Sequence, residues 1–452
     1  MRKVSPLKQQ IETSKPYVLA SEARSAFKVC LRDLDGYVFH RRCISLKCSG
    51  SPRGQVLLSY IIDGFLASAD TVRSNHPNYW EAVQIAQTFL DLGYDIDIVS
   101  YRNSRFWPDK DYSVVIDSRH NLERLAPMLS PSCLKIHHAD TAHILFQNAA
   151  EAQRLVALQR RRGVTLRPRR FERPNLGIEH ADYATILGNQ FTAGTYRYAN
   201  KPMACLPIPS QMTWPWPQRA DSERVRKRFL FLSSGGLVHK GLDLLLEAFV
   251  DMPEYHLTIC APINPLPPAA TSLRPSTMRP DMVDSNYYAN PTSMLIEEDF
   301  RLAFQKELYE TPNIHTIGWI DIADPKFFHL AQSCIAVVYP SCSEGASTAV
   351  ITCLHTGLIP IMSYESGIDV HNFGLLLKTC SIDEIQEAVH AVASLPDGQI
   401  EQRSRHVWEF ARAYHTRERY AEEYRRVIEA ILQGRLRQSR NPEQAPRIGS
   451  GC

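Results

Sequence analysis

Net charge, paired cysteines and long apolar runs are what this sequence has little of, and each shortage removes a class of function. Lys and Arg number 51 against 48 Asp and Glu, a formal charge of +3, so a partner held mainly through nucleic-acid phosphates is not expected. The longest apolar candidate, Val56 to Ala69, is broken by Asp63 and falls short of the roughly 18 residues a membrane span needs. The opening Met-Arg-Lys-Val-Ser-Pro leads into polar residues rather than an apolar signal core, and a cytoplasmic setting is expected. The 11 cysteines are scattered from Cys30 to Cys452 with no Cys-x-x-Cys pair, which favours reduced thiols over a disulfide framework. Cys30, His40, Cys43 and Cys48 form the tightest group, but the spacing fits no zinc ribbon or finger. No metal is expected.

What remains is an ordinary globular composition, 44% hydrophobic and 22% charged over 452 residues. At about 150 residues per domain, that length suits two or three domains. From Gln55 onward, short apolar strand candidates alternate with helix-length segments, the pattern of a parallel sheet covered on both faces. Strands are expected at Val56–Ile62, Ile96–Val99, Ser113–Ile116, Cys133–His137 and Tyr183–Leu187, with a helix over Tyr79–Leu92. A second unit of the same kind opens with Phe229–Ser233. It continues through a helix over Gly241–Val250 and strands at His256–Cys260, Ile314–Ile317, Ile335–Val338 and Ile359–Met362. A helix is expected over Ile296–Tyr309, and Ser381 with Glu384 three residues on forms a capping box that opens another.

The expected organisation is therefore α/β, with two doubly wound units. An extension over 1–54 carries a hairpin turned at Asp35-Gly36 within Phe27–Cys48; the first unit spans 55–210 and a Trp/Pro connector 211–221. The second unit spans 222–395. Helices over 396–434, rich in aromatic residues from Trp408 to Tyr424, would pack back across the junction, and 435–452 reads as a disordered tail. Pro262 to Pro291, with seven prolines, reads as a long surface insertion.

Two strand-to-helix turns of the second unit carry the chemistry. Ser233-Ser234-Gly235-Gly236-Leu237-Val238-His239-Lys240-Gly241 combines paired glycines, which let an anion approach the backbone, with the charge of Lys240. Pro340-Ser341-Cys342-Ser343-Glu344-Gly345-Ala346-Ser347-Thr348 places a carboxylate before glycine and small hydroxyl residues. That arrangement suits either sugar hydroxyls with an anionic group or a plain helix cap. About a hundred residues apart in one doubly wound unit, the turns are expected to converge on one crevice.

In these two turns the chain resembles the retaining, nucleotide-sugar-dependent glycosyltransferases of the GT-B fold, group 1 or family 4 type. The resemblance is strongest over Phe229–Asp369, where Gly235-Gly236-Leu237 through Phe249 looks like the family's phosphate turn and helix. Ser343-Glu344-Gly345 with Gly357-Leu358-Ile359-Pro360-Ile361 looks like its donor-sugar motif. It implies that Lys240 holds the donor diphosphate and Glu344 the transferred sugar, with Gly345, Ala346, Ser347 and Thr348 meeting sugar or phosphate through backbone groups. The nucleotide-diphosphate sugar is then a co-substrate and no cofactor is needed. Two positions depart from the family: Gly236 stands where an arginine is usual, and Thr352 where a ribose-binding glutamate is usual. A non-catalytic binding partner of the same fold is the alternative these departures suggest.

The first unit would supply the hydroxyl acceptor's face. His137 and His138, just after a strand, are candidates to accept a proton or orient a hydroxyl, and Asn75 and His76 are candidates near the acceptor. The run Arg160-Arg161-Arg162 with Arg167, Arg169, Arg170 and Arg173 suits an acidic acceptor, a nucleotide or peripheral contact with an anionic membrane surface. It equally suits a solvated helix end. Asp95 and Asp97 have metal-ligand spacing, but at the start of a strand they should face away from the crevice.

Overall fold

Buried strands with apolar residues on both faces dictate the architecture of the computed structural model, which describes residues 41–66, 77–217, 222–266 and 291–434. The first sheet contains β1 (Cys43–Leu46), β2 (Gln55–Tyr60), β3 (Asp95–Ser100), β4 (Val114–Asp117), β5 (Leu134–Ala139), β6 (Tyr183–Leu187) and β7 (Met203–Leu206). They lie in the order β1-β3-β2-β4-β5-β6-β7. All pair in parallel except β1, which runs antiparallel along β3 with Cys43 opposite Val99. The arm expected to fold back on Asp35-Gly36 is thus an edge strand of the main sheet, and the turn itself lies outside the described residues. Asp95 and Asp97 face this edge, where they bind Lys47 at 2.8 Å and Lys110 at 2.7 Å.

The second sheet contains β8 (Arg228–Leu232), β9 (His256–Cys260), β10 (Ile314–Thr316), β11 (Ala336–Tyr339), β12 (Ile359–Ser363) and β13 (Leu375–Leu377). Its order is β10-β9-β8-β11-β12-β13, all parallel. The chain leaves β8 toward one edge and returns at β11 toward the other. The carboxyl ends of β8 and β11 therefore flank the switch point at which open α/β sheets bind ligands.

The principal helices are α1 (Pro77–Asp91), α2 (Ile144–Arg162), α3 (Leu242–Val250), α4 (Pro291–Ala303), α5 (Gln305–Tyr309), α6 (Pro325–Gln332), α7 (Thr348–Leu354), α8 (Ile382–Ala393), α9 (Asp397–Tyr414) and α10 (Arg417–Leu432). The segment read as one helix over Ile296–Tyr309 is two, divided at Phe304, whose buried ring stacks on Phe300 at 4.6 Å. The capping box at α8 is half realised. Ser381 accepts from the Glu384 N–H, but the Glu384 carboxylate turns to the N–H groups of Lys378, Thr379 and Cys380.

The C-terminal helices tie the two units together. Between α9 and α10, His415 donates to the Ile208 carbonyl at 3.0 Å, and its own carbonyl accepts from Ser210 N and His355. Trp408 donates to the Trp214 carbonyl at 3.0 Å, and Trp214 stacks on Phe328 of α6. At the other end, Tyr420 of α10 donates to Glu81 of α1 at 2.9 Å. Glu81 is buried and also meets Tyr60 at 3.1 Å and His138 at 3.1 Å. No described helix is long and apolar enough to cross a membrane.

Glu81 is thus the acceptor for three buried side chains drawn from β2, β5 and α10. Glu81→Ala strands all three, and unfolding in urea is expected to show a loss of about 3 kcal/mol. A loss below about 1 kcal/mol would mean that this cluster does not fasten α10 to the first unit.

Candidate functional site

The turn after β8 doubles back on itself: Lys240 N–H donates to the Gly236 carbonyl at 2.9 Å, and Leu242 N–H to the Leu237 carbonyl at 2.9 Å. Gly236 lies at φ +71°, where a side chain is strained, and a Cβ there would sit 3.3 Å from Arg170 Cγ. The glycine is what lets an arginine of the first unit lie over the turn. The turn after β11 leads into α7, whose N-cap is Ser347, accepting from Val350 N–H.

His239 holds the two turns together. Its Nε2–H donates to the Ser343 carbonyl, and its own carbonyl accepts from Cys342 N–H at 2.9 Å. Burial lowers the His239 ring to about 3, so it is a neutral strut. Sequence reading gave it no role, although its place beside Lys240 is the one signal available.

Lys240 is 6% and Glu344 8% exposed. Burial works to raise the Glu344 carboxyl, but the Lys240 ammonium, helped by the Arg170 guanidinium and the Tyr339 hydroxyl, outweighs it and holds the group below its ordinary value. Tyr339 and Ser341 hydroxyls donate to Glu344 Oε1 at 3.2 and 3.3 Å. The two residues expected to share one crevice therefore do share one electrostatic environment. Ser343 is fully buried, with its hydroxyl unpartnered among the described residues.

Gly345 is pressed against the first unit. Its carbonyl accepts from Thr192 at 2.8 Å, and a Cβ would collide with the Asp140 carbonyl. Ala346, Ser347 and Thr348 carry the chain into α7. Thr352 is 2% exposed and its hydroxyl turns back to the Thr348 carbonyl at 2.9 Å.

The two histidines of β5 part company. His138 is 1% exposed and bound on both ring nitrogens, to Thr185 at 2.7 Å and Glu81 at 3.1 Å. It belongs to the core cluster under α10 and does not face the crevice, because alternate residues of a strand point to opposite faces. His137 points the other way, into a cavity lined by Ser118, Arg119, Gln147, Glu172 and Tyr196. Its Nδ1 is buried and unpartnered among the described residues, and burial beside His138 lowers the ring to about 3. Asn75 and His76 lie outside the described residues, as do the centre of the insertion, 267–290, and the tail, 435–452.

The arginine run is not merely a solvated helix end. Arg161 binds Asp243 at 2.7 Å and Glu247 at 2.9 Å, Arg162 binds Glu307 at 2.8 Å, and Arg167 lies 3.5 Å from Asp299. The backbone of Arg169 and Arg170 is pinned by Glu151 of α2, at 2.8 Å to each N–H, and by Gln147, which donates to the Arg170 carbonyl at 2.6 Å. Local charge counting found these arginines but could not show that the second unit faces them.

The neutral strut has a measurable consequence. His239 titrates at about 3 when folded, against 6.5 as a free group. Its contribution is complete above pH 6.5 and is lost as pH falls toward 3, by about 1.4 kcal/mol per pH unit. Compared with His239→Asn across pH 7 to 5, the wild type should lose more stability on acidification, and ring ¹⁵N shifts should keep the proton on Nε2. A ring titrating near 6.5 would contradict the strut.

No protein-family model matches the chain, and no curated protein matches it in sequence. Among solved structures it is similar to sucrose-phosphate synthase from Thermosynechococcus elongatus, at 12% identity and a TM-score of 0.54, over 84% of this chain and 100% of that one. It is also similar to the UDP-forming α,α-trehalose-phosphate synthase of Burkholderia vietnamiensis, at 10% identity and a TM-score of 0.52, over 86% of this chain and 98% of that one. With two parallel sheets and a switch-point crevice in the second, the chain has the GT-B glycosyltransferase fold.

Proposed function

We propose that the protein is a glycosyltransferase that moves a sugar from a nucleotide-diphosphate donor to a hydroxyl acceptor, with retention of configuration and without a metal ion. The observation that carries this reading is the burial of Lys240 and Glu344, on the turns after two adjacent strands, close enough for the ammonium to act on the carboxyl. In this reading, the diphosphate lies on the Gly236 turn beside Lys240, and Glu344 and the unpartnered Ser343 hydroxyl bind the transferred sugar. As the glycosidic bond breaks, negative charge grows on the departing diphosphate. Lys240, with Arg169 and Arg170 brought in by the first unit, supplies compensating charge in a site from which water is largely excluded. His137 and its cavity form the acceptor side. The described cysteines are free thiols, which fits the proposed cytoplasmic setting.

A second reading is a binding module that holds a nucleotide or glycan without transfer. The inward turn of the Thr352 hydroxyl and the bare backbone at Gly236 favour it, since both remove groups from the donor's reach. Calorimetric binding of a nucleotide sugar with no transferred product would support it.

The test is mass spectrometry of products after incubation with mixed nucleotide sugars and hydroxyl acceptors. Transfer should appear in the wild type, and Lys240→Ala and Glu344→Gln should each lower it by about 10²- to 10³-fold, with circular dichroism unchanged. Turnover equal to that of the wild type in both variants would contradict the assignment.

A further inference from the structure

The cavity beside His137 in the first unit holds polar atoms that the fold itself leaves unused. Ser118, His137 and Gln147, at 4%, 3% and 1% exposed, line it together. Ser118 Oγ, His137 Nδ1 and Gln147 Oε1 are each buried and without a partner among the described residues. Three such atoms around one cavity mark a place for the polar groups of a ligand. Ile178 and Tyr196, whose ring lies 5.6 Å from that of His137, add apolar surface.

The chemistry of the lining selects the group it takes. The Gln147 amide nitrogen already donates to the Arg170 carbonyl at 2.6 Å, so the free atom is the oxygen, which accepts and cannot donate. Arg119, the one Lys or Arg among the described lining residues, is held by Glu172 at 2.8 Å and Asp140 at 3.0 Å. Burial lowers the His120 and His143 rings below their ordinary values and His137 to about 3, so at neutral pH these imidazoles add no charge. A hydroxyl suits such walls, because it can donate to Gln147 and accept from Ser118 or His137. An anionic oxygen has nothing to donate to Gln147 and meets no unpaired cation among the described lining residues, so its desolvation would go uncompensated.

The cavity also adjoins the turn that carries Glu344. Thr141 of its lining follows Asp140, and a Cβ on Gly345 would come within 2.4 Å of the Asp140 carbonyl. We propose that this cavity selects an uncharged sugar or polyol as the acceptor, held through Ser118, His137 and Gln147, and rejects phosphorylated forms of the same molecules. The proposal rests on the transfer reading above and adds the chemical class of the acceptor.

The test is saturation-transfer NMR titration of the full-length protein, without donor, using glucose, glycerol and myo-inositol, each beside its monophosphate, with glucosamine as a cationic control. The wild type should bind at least one uncharged compound about tenfold more tightly than its phosphate, or better. Ser118→Ala and Gln147→Leu, shown to be folded by thermal melts, should each weaken that binding by about fivefold, the share of one hydrogen bond. Glu172→Gln, which removes one of the two carboxylates on Arg119, should narrow the disadvantage of the phosphate. Equal or tighter binding of the phosphates, a preference for glucosamine over glucose, binding of none of these compounds, or uncharged binding unchanged in both cavity variants overturns the proposal. Mass spectrometry with nucleotide sugars, run in parallel, separates it from the reading it rests on. Selective binding without transfer overturns the transfer reading, whereas transfer to an acceptor that both cavity variants bind unchanged overturns the cavity's role alone.

Discussion

A lysine and a glutamate share the interior of the second unit, and much of the structure is arranged so that neither is left alone there. Each loses most of its hydration, a cost that only an opposite charge or good hydrogen bonds can offset. Parallel pairing of β8 with β11 provides the means, because it aligns the carboxyl ends of two strands about a hundred residues apart in sequence. The glycine turn of one and the helix cap of the other then meet across His239, whose neutral ring bridges them without adding a third charge. Tyr339 and Ser341 complete the carboxylate's hydrogen bonds. A pair so confined holds its geometry before any ligand arrives, which is the condition under which fixed charges act most strongly on a developing charge.

The first unit enters this arrangement through helix α2. Its C-terminal arginines bind acidic residues of α3 and α5, and Glu151 holds the backbone of the following loop at Arg169 and Arg170, where Arg167 and Arg169 face Asp299 and Glu297 of α4. On the far side, α10 returns to Glu81. The crevice is therefore bounded by both units and closed by ion pairs, with Gly345 against the Asp140 and Thr192 backbone region. Opening it for a ligand means separating charges that are only partly exposed, so ionic strength and ligand charge should both bear on access.

Much of this was legible in the sequence because it is local. Alternating apolar strands, the Gly235-Gly236 pair and the Ser343-Glu344-Gly345 turn announce a doubly wound unit and its ligand edge without reference to anything distant. What escaped reading depends on partners far along the chain. His137 and His138 look alike in sequence, and only Glu81 and Tyr420, 57 and 339 residues away from their partners, show that His138 is held in the core. The arginine run looked like a surface feature because its carboxylates lie in the other unit. Strands β1, β7 and β13 are three or four residues long and gain their identity from a neighbour in the sheet rather than from a pattern of their own.

The central claim is a place for each part of one ligand: diphosphate on the turn that carries residue 240, sugar beside residue 344. A crystal structure of the protein soaked with nucleotide-diphosphate sugars measures it most directly. Phosphorus density is expected within hydrogen-bond distance of the Gly236 N–H and the Lys240 ammonium, with sugar hydroxyls on Glu344. A diphosphate bound elsewhere in the molecule, with that turn untouched, would contradict it.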